Sequence, residues 1–152
     1  MSVADGWLLS CLRKRFYRTI EIEVSPKEFT YRYKDRERRV PTCGYLRKSR
    51  GDDWGYQFEE KCETTEHVPI DLSSAVPLES RPNIGKVLAA FLWYGMRPLC
   101  NRLVRPTLVF KGIERFDTGL GFEYAAFREA GAQIAADGEV HFQVQATPAT
   151  KQ

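Results

Sequence analysis

A chain of 152 residues, 43% hydrophobic and 28% charged, has the length of one domain with its own core and the composition of an ordinary water-soluble fold. It contains no apolar run near the roughly 18 residues that a membrane-spanning helix needs, and a net charge of +3 is too small to identify a partner. Local charge says more: Arg32, Lys34, Arg36, Arg38, Arg39, Arg47, Lys48 and Arg50 crowd one stretch, a basic patch able to attract phosphate or anionic lipid.

Cys11, Cys43, Cys62 and Cys100 form no C-x-x-C pair and have no histidine at ligand spacing. Neither a zinc site nor a disulfide framework is signalled, and the thiols are expected to be reduced in the cytoplasm. The secretory pattern is missing too, because the apolar Trp7-Leu8-Leu9 is too short and the basic residues follow it.

In chain order, residues 1–17 read as an amphipathic segment. As a helix from Val3 to Arg18 they align Leu8, Leu9, Leu12 and Phe16 in one stripe, flanked by Arg13, Lys14, Arg15 and Arg18 with Trp7 at its edge. That composition suits an anionic bilayer surface, and the alternative is docking on the domain's own sheet. Residues 18–145 read as one α/β domain, and 146–152 as a disordered tail.

Ile20, Ile22 and Val24 alternate with Glu21 and Glu23, and after the turn Ser25-Pro26-Lys27-Glu28 the aromatics Phe29, Tyr31 and Tyr33 resume the two-residue period. This pattern predicts a β-hairpin with its aromatics in the core. A third strand is expected from Arg39 to Leu46, and a further one at Trp54 to Phe58 after the turn Gly51-Asp52-Asp53, making the front half an antiparallel meander. Residues 62–82 are punctuated by Pro69, Pro77 and Pro82 and predict an irregular connector with a very short strand at Ile70-Asp71-Leu72.

Asn83 stands where a helix N-cap belongs, and Ile84, Val87, Leu88, Phe91, Leu92 and Gly95 follow at helical spacing up to Pro98, which should kink or stop the helix. The apolar run Arg105 to Phe110 predicts a central strand covered on both faces. A second helix fits Gly121 to Ala130 with Gly131 as its C-cap, and Glu139 to Val144 alternates as a final strand. The expected fold class is α/β: an antiparallel meander followed by helix, strand, helix, strand, the mixed-sheet order of ribonuclease-H-like folds.

That order and several short motifs resemble the N-terminal part of bacterial actins of the MreB type. The matching stretches are Val40-Pro41-Thr42 at the third strand, Arg105-Pro106-Thr107-Leu108-Val109-Phe110, and Arg128-Glu129-Ala130-Gly131-Ala132 ahead of Glu139-Val140-His141. In that family the first hairpin carries an Asp-Leu-Gly-Thr turn that lets the backbone approach ATP phosphates, where this chain has Glu23-Val24-Ser25-Pro26. Pro26 removes an N–H donor and Ser25 stands in place of glycine, so the resemblance implies an actin-like half with neither nucleotide nor other cofactor and no catalysis. It also implies a scaffold or adaptor acting through protein–protein contacts, with itself or with a bacterial actin, linked to cell shape. Its expected location is cytoplasmic and peripheral at the inner membrane face.

Two other classes compete. Glu21 and Glu23 on the first strand, with Glu114 and Asp117 beyond the central one, are the carboxylates a two-metal nuclease would use, although Leu108-Val109-Phe110 supplies none. Nucleic-acid binding would place Tyr31, Tyr33 and Tyr45 among the arginines of the basic patch. A nucleophilic constellation of His67, His141 and Asp71 with Ser73 or Cys62 has no elbow motif behind it.

Overall fold

Alternation of apolar and charged residues makes Thr19–Val24 (β1) a strand with one buried face, on which Ile20, Ile22 and Val24 are fully shielded. The computed structural model describes residues 18–48, 55–61, 65–72, 83–100, 105–113, 122–135 and 139–143. A hairpin carries β1 into Glu28–Tyr33 (β2), and a turn at Lys34 and Asp35 leads into Arg36–Pro41 (β3). Lys34 adopts a left-handed φ of 51° there.

The next residue breaks the expected third strand in two. Thr42 turns its N–H and hydroxyl onto the carbonyls of the first hairpin turn, and Cys43–Lys48 (β4) departs into a second sheet. There it pairs antiparallel with Tyr56–Glu59 (β5) and with Val68–Asp71 (β6). The front half is therefore two sheets rather than one meander. Part of the expected connector also belongs to a strand: β6 accommodates Pro69 because it is an edge, where a missing N–H leaves no central ladder bond unmade.

Ile84–Met96 (α1) begins at Asn83 as its sequence implies, but Asn83 is left-handed at φ 55° and makes no side-chain cap. Its amide donates instead to the Tyr56 hydroxyl at 3.3 Å. The helix stops two residues before Pro98. Thr107–Lys111 (β7), Phe122–Ala132 (α2) and Val140–Gln143 (β8) complete the order.

Two expectations change here. β7 buries Leu108 and Phe110 on one face and leaves Thr107, Val109 and Lys111 half-buried on the other, so it is a central strand with one covered face. Gly131 lies inside α2 instead of capping it. A Cβ there would stand 3.0 Å from Val140 Cγ2 and 3.2 Å from Phe110 Cε2, so the glycine serves helix-to-sheet packing.

The principal sheet runs β3-β2-β1-β7-β8, with β1, β7 and β8 parallel and the first three strands antiparallel. Both parallel steps cross the sheet in the same direction, so right-handed connections put α1 and α2 on the same face. Nine of the thirteen α1 residues are buried, too many for a single stripe. The helix is enclosed by the sheet, by α2 and by the second sheet.

A chain of rings marks this enclosure. Phe58 of β5 meets Phe91 of α1 at 4.7 Å, and Phe91 meets Phe29 of β2 at 4.7 Å, both edge to face. Phe127, Phe110 and Phe142 continue the chain to β8 at centroid spacings of 5.8, 5.5 and 5.7 Å. Edge-to-face and offset contacts of this kind add about 1 kcal/mol each beyond the burial of the rings.

The closest approach is between Gly95 and Tyr31. A Cβ on Gly95 would fall within 3.0 Å of three atoms of the Tyr31 ring, and that ring is wholly buried and cannot give way. Gly95→Ala gains about 1 kcal/mol of helix propensity but forces the helix off the sheet, at a cost of about 3 kcal/mol or more. Urea unfolding is expected to show a net loss of about 2 kcal/mol or more for Gly95→Ala and a change within about 0.5 kcal/mol for Gly131→Ala, where small adjustments suffice. Equal losses would contradict this packing.

Candidate functional site

The hairpin turn that resembles a nucleotide loop holds itself closed. Ser25 Oγ donates to the Glu28 carbonyl at 2.7 Å and accepts from the Glu28 N–H at 3.2 Å, while the Ser25 N–H donates to the same carbonyl at 3.1 Å. From below, the Thr42 hydroxyl is shared between the carbonyls of Pro26 at 2.7 Å and Lys27 at 3.1 Å. The turn thus spends the Ser25 and Glu28 amides, the donors a phosphate would seek, on its own atoms.

Strand alternation divides the basic patch. Register places Arg32 of β2 and Glu37 and Arg39 of β3 on the outer face of the principal sheet beside Glu21 and Glu23 of β1. Arg32 meets Glu23 at 2.7 Å, Glu37 at 3.0 Å and Glu21 at 3.4 Å. Arg39 meets Glu37 at 3.1 Å and Glu28 at 3.6 Å, and Lys111 of β7 meets Glu21 at 2.9 Å. Hydrogen bonds from Arg32 and then Arg39 hold the Glu37 carboxyl below its ordinary range. The carboxylates a nuclease would need on the first strand are engaged by cations, and no group of three or more His, Cys, Asp or Glu among the described residues is placed to hold a metal ion. Glu114 and Asp117 lie outside the described residues.

Arg36 and Arg38 take the opposite face, in register with Tyr33 and Tyr31. They reach the last turn of α1, where the Tyr94 carbonyl lacks an intrahelical donor, and the turn that follows the helix. Arg38 Nη1 donates to the Tyr94 carbonyl at 2.6 Å and Arg36 Nη2 to the Pro98 carbonyl at 2.7 Å, and Arg18 Nη1 donates to the Leu99 carbonyl. The helix itself has no basic residue in its last turn, so the sheet supplies the cations that its dipole favours. Arg18 and Lys34 lie over the Tyr33 ring at 4.9 and 5.4 Å, and Arg38 and Arg97 over the Tyr94 ring at 4.5 and 5.6 Å.

Arg47 and Lys48 belong to the second sheet, and Arg50 lies outside the described residues. Arg47 is held by Gln57 and by Glu59 at 3.5 Å, and Glu59 in turn meets the buried His67 at 2.7 Å. Sequence reading left His67 in an irregular connector, where nothing marks it as a core polar group. Leu46, Arg47, Lys48, Tyr56, Glu66, Val68, Asn83 and Val87 line a groove of about 460 Å³ nearby. His141 is exposed on β8, with Val140 and Phe142 on the opposite face as alternation implies, and Asp71 ends β6 far along the chain from it. Ser73 and Cys62 lie outside the described residues.

Of the proposed membrane-binding residues, Trp7, Leu8, Leu9, Leu12, Arg13, Lys14, Arg15 and Phe16 also lie outside them, and Arg18 is placed against Tyr33 and the turn after α1. No described helix is long and apolar enough to cross a membrane. No protein-family model matches this chain, and no curated protein matches it.

Two buried acids beside α1 give a pH test. Tyr31, whose hydroxyl donates to the Phe91 carbonyl at 3.4 Å, is held well above its ordinary 10.0 by burial. Cys100 is pushed up from 9.0 to about 11 by burial, with Arg18 opposing. Both groups keep protons in the folded chain that the unfolded chain releases, so stability is expected to be full below about pH 9 and to fall as pH rises through 10 and 11. Chemical denaturation across this window should show the decline, and Tyr31→Phe should make it shallower. An unchanged slope in that variant would mean that Tyr31 ionises in the folded state as it does in water.

Proposed function

We propose that this chain is a non-catalytic, ribonuclease-H-like domain, an actin-like half that serves as a scaffold or adaptor through protein–protein contacts near the inner face of the membrane. The observation that carries the reading is the self-closed first turn. In a nucleotide-binding actin this hairpin offers free backbone donors to phosphate, whereas here the Ser25 and Glu28 amides are bonded within the turn, Thr42 holds the Pro26 and Lys27 carbonyls, and Pro26 has no N–H. Support for the fold comes from the β3-β2-β1-β7-β8 order with β1, β7 and β8 parallel, the arrangement expected of that half.

A catalytic reading has less to work with, since Glu21 and Glu23 are paired with Arg32 and Lys111. A single-strand nucleic-acid reading loses Tyr31 to the core and finds Tyr33 and Tyr94 already covered by cations. The work left to such a domain is contact with a protein partner, either a second copy or a filament of a bacterial actin of the MreB type.

Mg-ATP at millimolar concentration is expected to leave the thermal midpoint unchanged. The chain is expected to self-associate in light scattering or to co-pellet with polymerised MreB-type actin. A clear upward shift of the midpoint with Mg-ATP, or a strict monomer that ignores the filament, would overturn the reading.

A further inference from the structure

We propose that the cationic end of α1, formed by Arg18, Lys34, Arg36, Arg38 and Arg97, is the surface on which the folded domain meets an anionic lipid bilayer. The proposal rests on the membrane-proximal reading above and gives the membrane contact a place on the described fold. Sequence spacing assigns Arg18 to the N-terminal segment, Lys34, Arg36 and Arg38 to the hairpin patch, and Arg97 to neither. Folding gathers all five.

Two rings and one helix end fix the gathering. Arg18 and Lys34 share the Tyr33 ring, and Arg38 and Arg97 share the Tyr94 ring. Arg36, Arg38 and Arg18 bind carbonyls at Pro98, Tyr94 and Leu99, within six residues of one another along the chain. Carbonyls orient these cations without neutralising them. Among the described residues none of the five has a carboxylate within ion-pair distance, in contrast to Arg32, Arg39 and Lys111 on the outer face. Lys34, Arg36 and Arg97 are exposed, and the exposed Asp35 is the acidic residue of the same turn.

The ring geometry favours lipid phosphate over a single nucleic-acid strand. Bases need open aromatic faces, and here the cations already lie over Tyr33 and Tyr94. A bilayer needs only concentrated positive charge, at about 1 kcal/mol for each Lys or Arg near the surface.

The test is co-sedimentation of the whole chain with phosphatidylcholine vesicles, with and without phosphatidylglycerol. Lys34→Glu/Arg97→Glu alters two side chains that hold no backbone carbonyl among the described residues. Lys48→Glu/Lys61→Glu makes the same change in net charge on the second sheet and beyond it. Binding is expected only with phosphatidylglycerol, and it is expected to weaken at least about thirtyfold in the first variant, from about 1 kcal/mol for each of two cations, and little in the second.

Equal losses in both variants, or none in the first, would overturn the proposal, as would displacement of the vesicles by an oligouridylate. Leu9→Glu/Leu12→Glu separates the two claims. If it abolishes binding while Lys34→Glu/Arg97→Glu does not, the membrane-proximal reading stands and this surface falls. If the unaltered chain ignores phosphatidylglycerol vesicles, both fall.

Discussion

The fold depends on how closely α1 can lie against the principal sheet. Gly95 sets that distance by leaving room for the Tyr31 ring, and the hydroxyl of the same tyrosine reaches the Phe91 carbonyl one turn earlier. At this separation Phe91 can touch Phe29 below and Phe58 above, linking the two sheets through one side chain. A helix pushed outward would lose both ring contacts and the arginine bonds at its C-terminal end. Packing and electrostatics thus share one geometric condition.

The same two-residue period that builds β3 also sorts its charges. Glu37 and Arg39 fall on the open face, where they join Arg32, Glu21 and Glu23 in a ladder of partly exposed ion pairs. Individually such pairs stabilise by at most about 1 kcal/mol, and their main effect is to make the outer sheet face polar without leaving it strongly charged. Arg36 and Arg38 fall on the helix face, bonded to carbonyls and without a carboxylate partner among the described residues. One run of basic residues therefore yields a neutralised surface and a cationic one, and the local field follows the fold rather than the net charge of +3.

Elements with strong periodicity were legible in the sequence. Ile20, Ile22 and Val24, the aromatics of β2, and the helical spacing from Ile84 to Gly95 each name a buried face, and the structure buries them except at the ends, where Tyr33 and Ile84 are half-buried. The split at Thr42 was not legible, because its cause is a long-range bond from a hydroxyl to the Pro26 and Lys27 carbonyls. Gly131 reads as a cap because a glycine near a helix end is usually one; only the approach of Val140 and Phe110 gives it another purpose. The cationic end of α1 left a faint signal in Arg36 and Arg38 alternating with Val40, two charged residues on an otherwise apolar face. Recognising their target required knowing where α1 ends. The Glu59–His67 pair depends on β5 and β6 flanking β4 from its two sides, and no local pattern encodes that.

Native-state hydrogen exchange resolved by residue tests the central role of α1 most directly. If the helix is locked between the two sheets, amides from Val87 to Met96 can exchange only when the whole fold opens, at the same free energy as those of Ile20, Ile22 and Tyr31 and equal to the stability from chemical denaturation. Exchange of the α1 amides at a distinctly lower free energy than those of β1 and β2 would contradict it, since the helix would then open while the principal sheet stays folded.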